Sequence, residues 1–100
     1  MAEGRVLALA LVAIPLVASA EPDPAHLERL VIQDCGSCHG LTRKGGLGPD
    51  LRAESLSHWD ADGLTEIILD GIPGTAMPPW RPLLTEAEAQ WIAQYLLTTE

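Results

Sequence analysis

In Cys35-Gly36-Ser37-Cys38-His39 the chain places both of its cysteines within four residues and follows them at once with a histidine. Thiols three residues apart on a helical turn face the same way, so both can add across the two vinyl groups of one porphyrin. His39, next in line, then reaches the iron as proximal ligand. The spacing therefore reads as covalent attachment of a c-type haem through Cys35 and Cys38. A thioredoxin-like redox pair, half of a zinc site and a short disulfide share the Cys-x-x-Cys spacing. A zinc site would have to recruit His26 or His58 at irregular spacing, and a redox pair belongs near a βαβ pattern that the sequence lacks.

The start of the chain supports the same chemistry. Arg5 precedes an apolar run from Val6 to Val17, and Ala18-Ser19-Ala20 fits a small-residue cleavage site. The run is too short to span a bilayer comfortably. Residues 1–20 are therefore expected to be a cleaved signal peptide, and residues 21–100 a single monohaem domain without a stable membrane anchor. Export places the chain in the periplasm, where a chain with two thiols would otherwise oxidise to a disulfide.

The sequence carries a formal net charge of −8. Loss of residues 1–20 removes one acid, Glu3, and one base, Arg5, and leaves that charge unchanged. Such a balance argues against nucleic acid or anionic lipid as partners and favours electrostatically guided encounters between soluble proteins. The bases are unevenly placed. Arg43, Lys44, Arg52 and Arg81 all lie near the expected haem loops, which suggests a basic patch on an otherwise acidic surface; scattered solvated charges are the alternative.

A domain of this size has little core to work with. Burial of roughly 500 Å² of apolar porphyrin surface at about 25 cal/mol per Å² contributes on the order of 10 kcal/mol, comparable with the whole stability of a small domain. The chain without haem is expected to be largely unfolded.

Helical patterns account for the ordered segments. Asp23 is a candidate N-cap with Pro24 at the first helical position. Leu27, Leu30 and Val31 then form an apolar stripe on a helix that runs into Cys35. Gly40 to Leu51 is rich in glycine and reads as a loop. Leu56 to Gly71 reads as a second helical region, with Leu64, Ile67 and Ile68 on one face and Gly71 as its stop. Gly71 to Pro82 is again irregular. Thr85-x-x-Glu88 is a capping box, and Ile92, Tyr95 and Leu96 give the last helix an apolar face. No strand pattern appears, so the expected fold class is all-α, a few helices and Gly/Pro-rich loops wrapped around a prosthetic group.

A haem iron with His39 on one side needs a ligand on the other. After signal cleavage Met77 is the one methionine left, and Pro78 and Pro79 stiffen the loop that holds it. Core filling is the bland alternative for a methionine. His58 and His26 compete as sixth ligands, but His26 lies roughly 13 Å before Cys35 along a continuous helix at 1.5 Å per residue, badly placed for the opposite haem face. Among Trp59, Trp80, Trp91 and Tyr95, most are expected to pack in the core, and Trp80 is the best candidate for contact with the haem.

Taken together, the Cys35–His39 attachment site, the Gly48-Pro49-Asp50-Leu51 loop, Met77 before Pro78 and a terminal helix with Tyr95 resemble the class I c-type cytochromes. The resemblance covers essentially the whole of residues 21–100 and implies a cytochrome c-like fold with one haem c per chain, its iron held by His39 and Met77. It also implies that Pro49 offers its carbonyl to Nδ1 of His39. The family packs its first and last helices through a glycine and an aromatic residue on the first; Leu27 and Val31 stand in that stretch here. More narrowly, the segment Gly71 to Trp80 resembles the cytochrome c-55X group, small periplasmic cytochromes found with haem-type nitrite reductase in denitrifying bacteria. The resemblance implies electron delivery to that reductase or to its maturation proteins.

The expected function is a one-electron carrier and not an enzyme, acting as a monomer with redox protein partners that Arg43, Lys44 and Arg81 help to dock. The competing reading is a protein with a displaceable Met77 that binds a small ligand or handles a haem-derived intermediate. Catalysis would need an open iron site and a distal acid-base residue.

Overall fold

A computed structural model of the protein describes residues 21–99. The expected signal peptide at residues 1–20 lies outside the described residues, and so does Glu100. Among the described residues the regular structure is all helical. The all-α expectation holds.

Asp23 starts the first helix as its composition requires. Its carboxylate accepts from the backbone N–H groups of Ala25 and His26, and Pro24 occupies the first turn, where a missing N–H leaves nothing unsatisfied. Helix α1, Pro24–Leu30, continues without a break through a wider π-helical segment, Val31–Cys35, into α2, Gly36–His39. The π geometry is visible in the Gly36 N–H, which reaches back to the Val31 carbonyl. The helix thus runs past Cys35 to the end of the attachment motif and stops at Gly40, whose φ of +91° ends it.

The second helical region is shorter than its sequence pattern suggests. Ala53–Leu56 forms a 3₁₀ turn, and helix α3 begins only at Ala61 and ends at Asp70. Asp60 is the reason: its carboxylate caps the N–H of Gly63 at 2.7 Å and fixes the start five residues after Leu56. Gly71, at φ +69°, ends α3 with its N–H on the carbonyl of Ile67. Helix α4, Glu86–Thr98, opens on the capping box read from the sequence, with Thr85 and Glu88 each bonding the other's backbone N–H.

One core joins these elements. Leu27 and Val31 of the first helix and Ala89, Ile92 and Ala93 of α4 are all fully or almost fully buried in the same cluster. The small side chains at Ala89 and Ala93 let α1 and α4 approach, in place of a glycine on the first helix. Leu64, Ile68 and Leu69 bring α3 onto α4, while Ile67 is only half-buried. Full burial of Leu27 alone contributes about 2 kcal/mol. Tyr95 closes the crossing from outside by donating its hydroxyl to Glu28 at 3.0 Å.

Candidate haem site

The helix carries Cys35 at the end of its π segment and Cys38 and His39 in the α-helical turn that follows. Both thiols are free and half-buried. Burial and the carboxylate of Asp34 push the Cys35 thiol up to about 11.

The loop after the helix folds back on the motif residue by residue. Gly45 N–H donates to the carbonyl of His39, and Gly48 N–H to that of Cys38, each at 2.8 Å. This return places the Pro49 carbonyl oxygen 2.8 Å from His39 Nδ1. A carbonyl can only accept, so Nδ1 carries the proton and Nε2 keeps its lone pair for a metal. Gly48 makes the arrangement possible. A Cβ there would stand 2.6 Å from Cε1 and 2.7 Å from Nδ1 of the imidazole. The sequence places Gly48 in the loop with Pro49 but does not show that its bare α-carbon makes room for the imidazole.

Met77 and Trp80 lie on a second loop, strapped to the end of α3. The carbonyls of Ile68 and Leu69, orphaned at the helix terminus, accept from Trp80 N–H and Arg81 N–H at 3.0 Å each. Ile72 N–H donates to the Met77 carbonyl, and that oxygen passes so close to Gly71 that a Cβ there would lie 2.6 Å from it. Thr75 Oγ1 accepts from Met77 N–H. Both ends of the segment are thereby tied together, and Asp70 and Arg81 add a two-pronged ion pair at 2.9 Å across its base. Met77 is half-buried, and Trp80 packs at the edge of the core.

The expected basic patch needs correction. Arg52 grips the carboxylate of Asp50, two residues earlier, at 2.6 Å, and its guanidinium holds Asp50 down at about 2. Arg81 is engaged by Asp70 in the same way, and Asp70 is lowered in turn. Arg43 sits over the ring of Tyr95, 5.5 Å from its centroid. Local carboxylates therefore cancel two of the four bases, and Lys44 remains as an exposed lysine. His58 lies beside Trp59 with the two rings tilted at 45°, and it is exposed, as is His26.

The donor set fits a covalent haem. Two free thiols share one helix, an imidazole is fixed with Nε2 as its basic nitrogen, and the loops around them expose apolar side chains that a porphyrin can cover, Leu47 at 94% and Leu41 at 69% among them.

Residues 22–96 match the family described as Cytochrome C oxidase, cbb3-type, subunit III. The chain is 56% identical over 98 residues to cytochrome c55X of Paracoccus denitrificans (strain Pd 1222), a match covering 94% of this chain and 95% of that protein. The chain belongs to the cytochrome c55X family of small class I c-type cytochromes. Among solved structures it is similar to the c-type cytochrome NirC, with a TM-score of 0.76 and 45% identity over 79% of this chain and 96% of that one. It is also similar to part of the dihydro-heme d1 dehydrogenase NirN in complex with DHE, with a TM-score of 0.68 and 40% identity. That match covers 73% of this chain and 16% of the dehydrogenase. As a member of the c55X family the chain carries a covalently bound haem c, and its relatives of the same size are cytochromes rather than enzymes. Among the described residues no helix is long and apolar enough to cross a membrane.

Proposed function

We propose that this cytochrome is a periplasmic one-electron carrier of denitrification, with Cys35 and Cys38 bonded to the haem and His39 and Met77 as its axial ligands. Residues 1–20 are its cleaved export signal. The observation that carries the reading is the 2.8 Å bond between His39 Nδ1 and the Pro49 carbonyl, which fixes the ring and presents Nε2 to a metal. Bound haem supplies an iron that cycles between ferric and ferrous states. The chain's own residues would hold that iron: Pro49 orients His39, and the tied loop would keep the Met77 sulfur in place. A methionine opposite histidine raises the reduction potential, and two strong ligands leave no position for substrate. The c55X and NirC relatives support a role beside nitrite reductase or the proteins that mature its haem.

A second reading draws on the likeness to the dihydro-heme d1 dehydrogenase. A protein that shares a fold with part of that enzyme suits the handling of a haem-derived intermediate, with Met77 displaceable. Absorption spectra of the purified protein, oxidised, then reduced, then exposed to carbon monoxide, separate the two. The carrier reading expects a low-spin spectrum, a far-red sulfur-to-iron band in the ferric form and no response to carbon monoxide. A ferrous form that binds carbon monoxide readily overturns it in favour of the second.

A further inference from the structure

Arg43 is the single non-glycine residue with positive φ among the described residues, at +63°. Such a conformation is strained for a residue with a side chain and persists where surrounding contacts over-determine it. Those contacts are on three sides. The Arg43 N–H donates to the Gly40 carbonyl, and the Arg43 carbonyl accepts from Leu51 N–H, each at 2.8 Å. Its guanidinium lies over the Tyr95 ring of α4, Trp91 stacks on the other part of that helix face with ring centroids 5.1 Å apart, and the Tyr95 hydroxyl is held by Glu28 of α1.

The backbone bonds give this arrangement its consequence. Pro49 has no N–H of its own, so its carbonyl is placed by its neighbours. Gly48 N–H is anchored to Cys38 on one side and Leu51 N–H to Arg43 on the other. We propose that Arg43, braced on Tyr95, is a positioning residue for the Pro49 carbonyl, and through it sets the strength of the His39 Nδ1 hydrogen bond and hence the electron-transfer potential. The proposal rests on His39 being an axial ligand. A firm bond from Nδ1 makes the imidazole a stronger donor and favours ferric iron; a looser bond raises the potential. Loss of the Arg43 charge by itself acts in the opposite direction, because removing a nearby cation favours the ferric state.

That opposition in sign makes the test decisive. The holoprotein is prepared as wild type, Y95L, R43Q and R43K, and two quantities are read: hydrogen exchange of the His39 Nδ1 proton by NMR, and the midpoint potential. Y95L keeps the charge and removes the platform, so exchange is expected to quicken about threefold, the equivalent of one partly exposed cation–π contact, and the potential to rise. R43Q changes a half-buried side chain outside the buried core cluster; its exchange is expected to quicken likewise. R43K, which keeps a cation over the ring, is expected to stay near wild type. Wild-type exchange in both Y95L and R43Q overturns the proposal, as does a potential that falls in R43Q with exchange unchanged. A wild-type protein without a low-spin haem and a protected Nδ1 proton overturns the ligation reading itself, a result distinguishable from the others before any variant is made.

Discussion

The α-carbon of Gly48 faces the imidazole of His39 so closely that a methyl group added there would overlap the ring, at 2.6–3.0 Å from three of its atoms. The loop can therefore lay Pro49 against Nδ1 only because residue 48 has no side chain. The substitution Gly48→Ala is expected to push the ring aside and lengthen the Nδ1 to Pro49 bond. Overpacking of this kind costs about 1–3 kcal/mol. Urea unfolding of the holoprotein should register that loss together with a raised reduction potential. An unfolding midpoint and potential equal to wild type would show that the ring has room to spare.

The leucines around the attachment motif define a second expectation. Leu47 and Leu41 are mostly exposed, as is Leu83 at 73% in the segment before α4, and among the described residues the buried core is built from 11 apolar side chains. Without haem those side chains stay in water, and the small core has to carry the fold alone. The double substitution Cys35→Ser and Cys38→Ser, exported and purified without haem, is expected to lose most of the helical far-UV circular dichroism of the holoprotein. Retention of the full signal with a cooperative melt would mean that the core around Leu27 and Ile92 suffices alone.

Asp50 and Arg52 provide a pH-dependent contribution of known sign. Asp50 is held at about 2 in the folded protein, below its ordinary value of 3.8, chiefly by the Arg52 guanidinium and the Arg52 backbone N–H. A depressed folded value means that the stabilisation is complete above about pH 4 and fades as pH falls toward 2. Asp50→Asn should therefore lower the unfolding midpoint at pH 6 and converge on wild type near pH 2. The same deficit at both pH values would contradict the assignment of the effect to the ionised carboxylate. Because the pair sits on the loop that carries Pro49, the pH 6 variant should also show faster exchange at the Leu51 amide.

What the sequence made legible was local. Asp23, Gly71 and the Thr85–Glu88 box act through bonds to residues at most four positions away, and each sits where its residue type predicts. The motif at 35–39 was readable for the same reason: its spacing is one helical turn. The start of α3 lies later than its pattern indicates because Leu56 fits a helical stripe, and nothing in the stripe reveals that Ala53–Leu56 winds more tightly before Asp60 takes the cap. The basic patch failed on side-chain direction, since Arg81 turns to Asp70, 11 residues away, and only the folded strap brings the two together. Arg43 over Tyr95 joins residues 52 positions apart, and no local pattern announces it.

The ligation of Met77 is tested most directly by selective labelling. Only Met1 and Met77 occur in the sequence, and the exported protein is expected to keep Met77 alone. With carbon-13 at the methionine methyl, the ferrous protein should give one methyl resonance. The account predicts that it is displaced far upfield of the ordinary methionine range by the ring current of a haem lying directly against the sulfur. A methyl resonance at the position of a free methionine would contradict the His39/Met77 account.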